Sequence, residues 1–201
     1  LGGTADKFYF NSKIPFDLPV SVSVFDYKKN LPKTTLAASA IGQGDVLATP
    51  LHMALVASAV ANDGKMMQPI LVKEVEDAKG SAIEEHKPKV LAESTSSDIA
   101  KTLTKYMISV VQDGTGRRAS LRSTQVAGKT GSAENASGEN HAWFIGFAPA
   151  KDPQIAVAVI LEQAGKSGGS VAAPIARDII VYALNNIDFN QGRELPESDD
   201  D

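Results

Sequence analysis

Three strand-like segments, joined by connectors too short for a helix, constrain this chain most. They cover residues 125–132, 142–148 and 154–161. The connectors, residues 135–140 and Lys151-Asp152-Pro153, are rich in turn-forming Asn, Gly, Asp and Pro. Parallel neighbours need a crossover of about a dozen residues or more, so these strands pair as an antiparallel meander. Ser170 to Leu184 then reads as a helix, with Val171, Ile175, Ile179 and Tyr182 on one face. An apolar helix face following such a meander implies an α+β fold, an antiparallel β-sheet flanked by helices.

The first half adds more elements. Thr4 to Ser12 is expected to be a short helix with Thr4 as its N-cap, and residues 14–36 to be mostly loop. Thr49-Pro50 marks a helix start, because threonine caps free N–H groups and proline lacks one. That helix should run to Ala61, with Asn62 and Gly64 as its stop, and its apolar surface predicts burial on most sides. Gln68–Val75 and Ala82–Leu91 read as strands around a turn at Ala78–Ser81. Ser97 or a neighbour caps a helix to Val111, ended by Asp113-Gly114, with Ile99, Leu103, Met107 and Val110 at helical spacing.

The 201 residues suffice for one domain with a sizeable core. We expect residues 1–186 to form part of a domain and 187–201 a polar, disordered tail. A net charge of −4 and the lack of a basic block argue against nucleic acid as a partner. There is no cysteine, which excludes disulfides and thiolate metal sites; His52, His86 and His141 are too scattered for a metal site. No metal and no cofactor are expected. The longest apolar runs, Met53–Ala61 and Ile155–Leu161, fall far short of the ~20 residues that cross a bilayer.

Within the meander, Gly128-Lys129-Thr130-Gly131-Ser132 carries the chemistry. Lys129 puts a positive charge over a pocket, and Thr130 both donates and accepts hydrogen bonds. Gly131 lets a substrate backbone lie against the strand, and the N–H of Ser132 can meet a developing oxyanion. This suits an extended, anionic acyl substrate. A phosphate-binding loop would need glycine five positions before the Gly-Lys-Thr glycine, where Ser123 stands. Gly165-Lys166-Ser167 fails likewise, with Ile160 at that place. The bland alternative is a surface lysine at a hairpin edge, and the second copy, Lys166-Ser167-Gly168, shows how readily chance yields the tripeptide.

Longer blocks are more specific. "SAIGQGDVLATPLHMALVASAVANDGK" (39–65), "VVQDGTGRRA" (110–119), "VAGKTGSAE" (126–134), "HAWFIGFAP" (141–149) and "LGGTADKFYF" (1–10) resemble, in family order, the C-terminal half of a penicillin-binding protein transpeptidase domain of the monofunctional, class B kind. The resemblance implies a partial domain of the serine β-lactamase/transpeptidase-like fold. It selects Lys129 over Lys166, because only Lys129 precedes the Trp143-Phe144-x-Gly146 strand.

The family's Ser-x-x-Lys and Ser-x-Asn motifs do not occur here: no serine has lysine three positions on or asparagine two on. The resemblance places both upstream, so this chain, opening on Leu1, is expected to be a piece lacking the nucleophile and inactive alone. It implies acyl transfer on D-Ala-D-Ala stem peptides of peptidoglycan, with β-lactam antibiotics as ligands. Lys129 and Ser132 would act in catalysis, and Lys129, Thr130, Gly131 and Ser132 would bind substrate. Ser132 replaces a frequent threonine and keeps both N–H and hydroxyl. Further partners implied are the upstream part of the same protein and a polymerising glycosyltransferase. The implied location is the extracytoplasmic face of the bacterial cell membrane, through an N-terminal anchor outside this chain. A β-lactamase, a D,D-carboxypeptidase and a non-catalytic β-lactam sensor remain alternatives. Trp143 and Phe144 are expected in the core, His141 at the surface, and Gly42, Gly44, Thr49 and Pro50 in structural roles.

Overall fold

The computed structural model describes residues 1–27, 31–135 and 138–189. Among the described residues five helices appear in chain order: α1 (Gly2–Lys7), α2 (Lys33–Ala40), α3 (Pro50–Ala61), α4 (Ser97–Gln112) and α5 (Gly168–Asn186). The strands are β1 (Lys65–Met67), β2 (Glu74–Glu76), β3 (Ala82–Glu85), β4 (Val90–Glu93), β5 (Ala127–Ala133), β6 (His141–Ala148) and β7 (Ile155–Leu161). A short 3₁₀ turn spans Arg117–Ala119.

The expected meander is present. β5, β6 and β7 pair antiparallel in that order, with Lys129 opposite Ile145, Thr130 opposite Phe144 and Gly131 opposite Trp143. Side chains alternate between the two faces of a strand, so each face has its own core. On one, Phe144 and Val157 pack with Ala172, Ala173, Ala176 and Ile180 of α5 and with Val111. On the other, Ala127 and Phe147 pack with Val60 of α3 and with Leu103 and Met107 of α4. The sheet is thus the middle of three layers.

Phe144 is fully buried and lies under three glycines. A Cβ added at Gly128 would come within 2.3 Å of its ring, at Gly146 within 3.0 Å and at Gly116 within 3.5 Å. The ring fills the space a side chain at Gly128 would occupy; at Gly146 the Ala127 carbonyl oxygen is nearer still, at 2.5 Å, and at Gly116 Val110 is, at 3.2 Å.

Local chemistry explains the helix ends. The Thr49 hydroxyl accepts from the His52 N–H at 3.2 Å, and Pro50 takes the first helical position. Beyond Asn62, Gly64 has φ +88°, and a Cβ there would lie 2.1 Å from the Thr95 carbonyl oxygen. Ser96 caps α4.

Several expectations are corrected. Thr4 is not an N-cap: it lies inside α1, whose N-cap is Leu1, and the helix stops at Lys7. Left-handed Tyr9 and Asn11, φ +69° and +62°, prevent it from reaching Ser12. The stretch 14–36 is mostly loop as expected, except that α2 begins within it at Lys33. Of the strand expected over 68–75 only the end forms, as β2 (Glu74–Glu76); β1 ends at Met67, just before Pro69. The strand expected over 82–91 splits at Lys87-Pro88, because proline cannot donate to a ladder. β4 instead pairs with β1 and β3 with β2. α5 starts two residues earlier than expected, and residues 190–201 of the expected tail lie outside the described residues.

Candidate active site

β5 is an edge strand: β6 covers one side, and among the described residues no strand covers the other. Alternation in an antiparallel pair sends the N–H and C=O of every second residue to that free side. Two bonds identify which residues these are. The side chain of Gln43 donates from Nε2 to the Ser132 carbonyl at 3.1 Å and accepts at Oε1 from the Glu134 N–H at 3.2 Å. Ser132 therefore turns its N–H to the free edge as well, and Thr130, two residues back, presents both its groups there.

Lys129 is exposed and on the face toward α3 and α4. Its ammonium bends to the free edge and donates to the Thr130 carbonyl. Beside it opens a groove of about 360 Å³, lined by Val56, Val60, Leu103, Met107 and Ile145. Trp143 is half-buried on this same face, opposite Gly131. The expected core role thus holds for Phe144, whereas Trp143 keeps part of its surface outside.

Thr130 and Ser132 turn to the opposite face, toward α5. The Thr130 hydroxyl lies 2.7 Å from the hydroxyl of Thr115, one donating to the other. Thr115 is exposed and sits between Gly114 and Gly116 just past α4. The Ser132 hydroxyl accepts from the Gly168 N–H at 3.4 Å, so the first free N–H of α5 points at it. Close approach is possible only because Gly168 and Gly169 lack side chains. A Cβ on Gly168 would lie 2.1 Å from the Trp143 carbonyl oxygen and 2.4 Å from that of Gly131. Arg118 adds a bond to the Ser170 carbonyl at 2.6 Å.

All four sequence-selected residues, Lys129, Thr130, Gly131 and Ser132, thus lie on one accessible edge, though their side chains split between two faces. The second tripeptide copy, Lys166-Ser167-Gly168, is the entry to α5, with Ser167 as N-cap. Its glycine packs behind β5. Gly42 and Gly44 are turn glycines with φ +75° and +71°. His141 is half-buried; its Nδ1 accepts from the Gln163 N–H at 3.0 Å, and its Nε2 lies 3.3 Å from the Asn135 amide. It ties the strand ends together. Gln43 and Thr115 were not singled out from the sequence. Each lies in a recognised block, but only the fold brings it to β5.

The penicillin binding protein transpeptidase domain family matches residues 1–181. Peptidoglycan D,D-transpeptidase PbpA of Mycolicibacterium smegmatis is 38% identical over 178 residues, covering 85% of this chain and 36% of that protein. The MrdA transpeptidase of Haemophilus influenzae is 32% identical, covering 85% of this chain and 30% of its own. Among solved structures, the imipenem acyl-enzyme complex of penicillin-binding protein A from M. tuberculosis superposes with a TM-score of 0.82 at 34% identity, over 90% of this chain and 41% of that one. The chain spans about a third of the length of these curated relatives. On the match across residues 1–181, the chain belongs to the penicillin-binding protein transpeptidase domain family.

Proposed function

We propose that this chain supplies one wall of the active site of a serine D,D-transpeptidase that cross-links peptidoglycan. The observation that carries the reading is the free edge of β5, where the Lys129 ammonium, the Thr130 hydroxyl and the outward Ser132 N–H lie within four consecutive residues. A stem peptide ending in D-Ala-D-Ala lies along this edge against Gly131. Its terminal carboxylate meets the positive charge of Lys129 and the Thr130 hydroxyl, with the N-terminus of α5 adding favourable potential from behind. The Ser132 N–H donates to the scissile carbonyl oxygen as the serine attacks; one such donor is worth ~3 kcal/mol in other acyl-transfer enzymes. The C–N bond to the last D-alanine breaks, and the departing amine takes a proton. An amine of a second stem then attacks the acyl-serine, releases the serine and forms the cross-link.

The nucleophile comes from outside these 201 residues, since no serine here has the Ser-x-x-Lys spacing. The open apolar groove beside Lys129 is where an upstream segment of the same protein docks and brings that serine to β5. β-Lactams acylate the same serine. The extracytoplasmic face of the bacterial membrane is where such a substrate is found, and a polymerising glycosyltransferase is the partner that would deliver it.

A fluorescent penicillin tests the reading. The full-length protein is expected to be labelled and to release the label slowly, and residues 1–201 alone to remain unlabelled. Rapid turnover would assign a β-lactamase or carboxypeptidase instead. Labelling without any transfer to an acceptor amine would assign a sensor.

A further inference from the structure

The Gly-Gln-Gly loop reaches the candidate site through one side chain. Gln43 stands between Gly42 and Gly44, both left-handed, and such φ values favour glycine. The turn leaves Ile41, Gly42, Gly44 and Asp45 exposed and tucks Gln43 half inside. Its carboxamide then binds one strand twice, at the Ser132 carbonyl and the Glu134 N–H. A primary amide carries the same donor and acceptor as a peptide group. Gln43, 89 residues upstream of Ser132, thus does for one position what a fourth strand would do for the whole edge.

The edge groups can now be assigned. Thr130 offers its N–H and a C=O that already accepts from the Lys129 ammonium, Ser132 offers N–H and C=O, and Glu134 offers N–H. A carbonyl oxygen has two lone pairs, so Ser132 can accept a second bond beside Gln43. The Glu134 N–H has a single proton, and Gln43 holds it. We infer that Gln43 is a specificity-determining residue that ends the pairing edge. An extended peptidyl donor pairs with Thr130 and Ser132, and its chain then leaves the sheet beside Ala133. The donors that fit are peptides recognised along their backbone only next to the reacting carbonyl. The inference rests on the reading of β5 as the substrate wall.

The test uses the full-length protein and two acyl donors: a one-residue N-acyl thioester and a pentapeptide ending in D-Ala-D-Ala. Gln43→Ala frees the Glu134 N–H. The pentapeptide KM is expected to fall about three-fold, as one added net hydrogen bond allows. The thioester KM and both kcat values are expected to stay within about two-fold. Gln43→Glu keeps an acceptor for the Glu134 N–H and is expected to keep the wild-type ratio of the two KM values. Should Gln43→Ala not fold, Gln43→Asn, with its shorter arm, is expected to give the same selective change. An unchanged ratio in the shortened variant overturns the inference, including equal losses with both donors, as a mere tether of the loop would give. A wild-type protein that takes neither donor nor penicillin overturns the underlying reading of the site as well.

Discussion

Thr115 illustrates how a single residue acts through another. A threonine hydroxyl rotates freely unless a partner fixes it. Thr115 holds the Thr130 hydroxyl at 2.7 Å and so selects its direction. Thr115→Val removes that partner while keeping the branched shape. The expected loss is about 1 kcal/mol, or about a five-fold lower second-order rate of acylation by penicillin in the full-length protein. Thr115→Ser should restore most of it; equal rates in wild type and Thr115→Val would exclude the positioning role. The residues most legible in the sequence were those whose meaning is local. Lys129, Thr130, Gly131 and Ser132 are consecutive, and strand periodicity alone puts them on one edge. Thr115 and Gln43 act on backbone or hydroxyl groups 15 and 89 residues away, and no periodicity links those positions.

Among the elements, α5 and β5 depend on each other. The helix starts against the strand because Gly168 lets backbone touch backbone, and Gly169 does the same at the Thr115 carbonyl. Gly168→Ala would push a methyl group to 2.1 Å from the Trp143 carbonyl oxygen, and backbone cannot move aside as a flexible side chain can. Overpacking of this kind costs about 1–3 kcal/mol. A lower urea midpoint is expected in the full-length protein, with a larger loss of acylation than the stability change alone explains, because the displaced segment includes Gly131. An unchanged midpoint would mean that α5 can shift freely. Elements with strong local signals were readable in advance: α3 by Thr49-Pro50, α4 by its period, and the meander by its short connectors. The missed helix α2 has no side-chain cap at Pro32 and buries only Ser39, so it leaves no amphipathic pattern to find. The misread strands fail at Pro69 and Pro88, where the hydrophobic pattern continues but the hydrogen-bond ladder cannot.

At the scale of the whole molecule, stability should depend on pH through His52. Its ring is fully buried against Phe10, its Nε2 bonds to the Phe8 carbonyl at 2.7 Å, and its Nδ1 has no partner among the described residues. A carbonyl only accepts, so the neutral ring carries its proton on Nε2. Burial lowers the His52 pKa below its ordinary value, against the smaller opposing effect of the Phe8 carbonyl. The unfolded chain then binds a proton near pH 6.5 that the folded chain refuses until lower pH. Stability therefore rises with pH through the window below about 6.5 and levels off above it. The thermal midpoint of the full-length protein is expected to drop between pH 7.5 and 5.5, and His52→Gln to flatten that slope. An equal slope in both proteins would remove His52 as the cause.

The packing beneath Gly116, Gly128 and Gly146 also limits how such a chain can diverge. One phenyl ring serves the segment after α4, the Lys-Thr-Gly strand and its neighbour at once. Enlarging Gly128 demands a smaller residue at 144, whereas Gly146 is closed first by the Ala127 carbonyl oxygen at 2.5 Å, which no change at 144 relieves. Positions 128 and 144 are therefore expected to be inherited together, with substitutions arriving as a compensated pair rather than singly, while Gly146 is held by backbone alone.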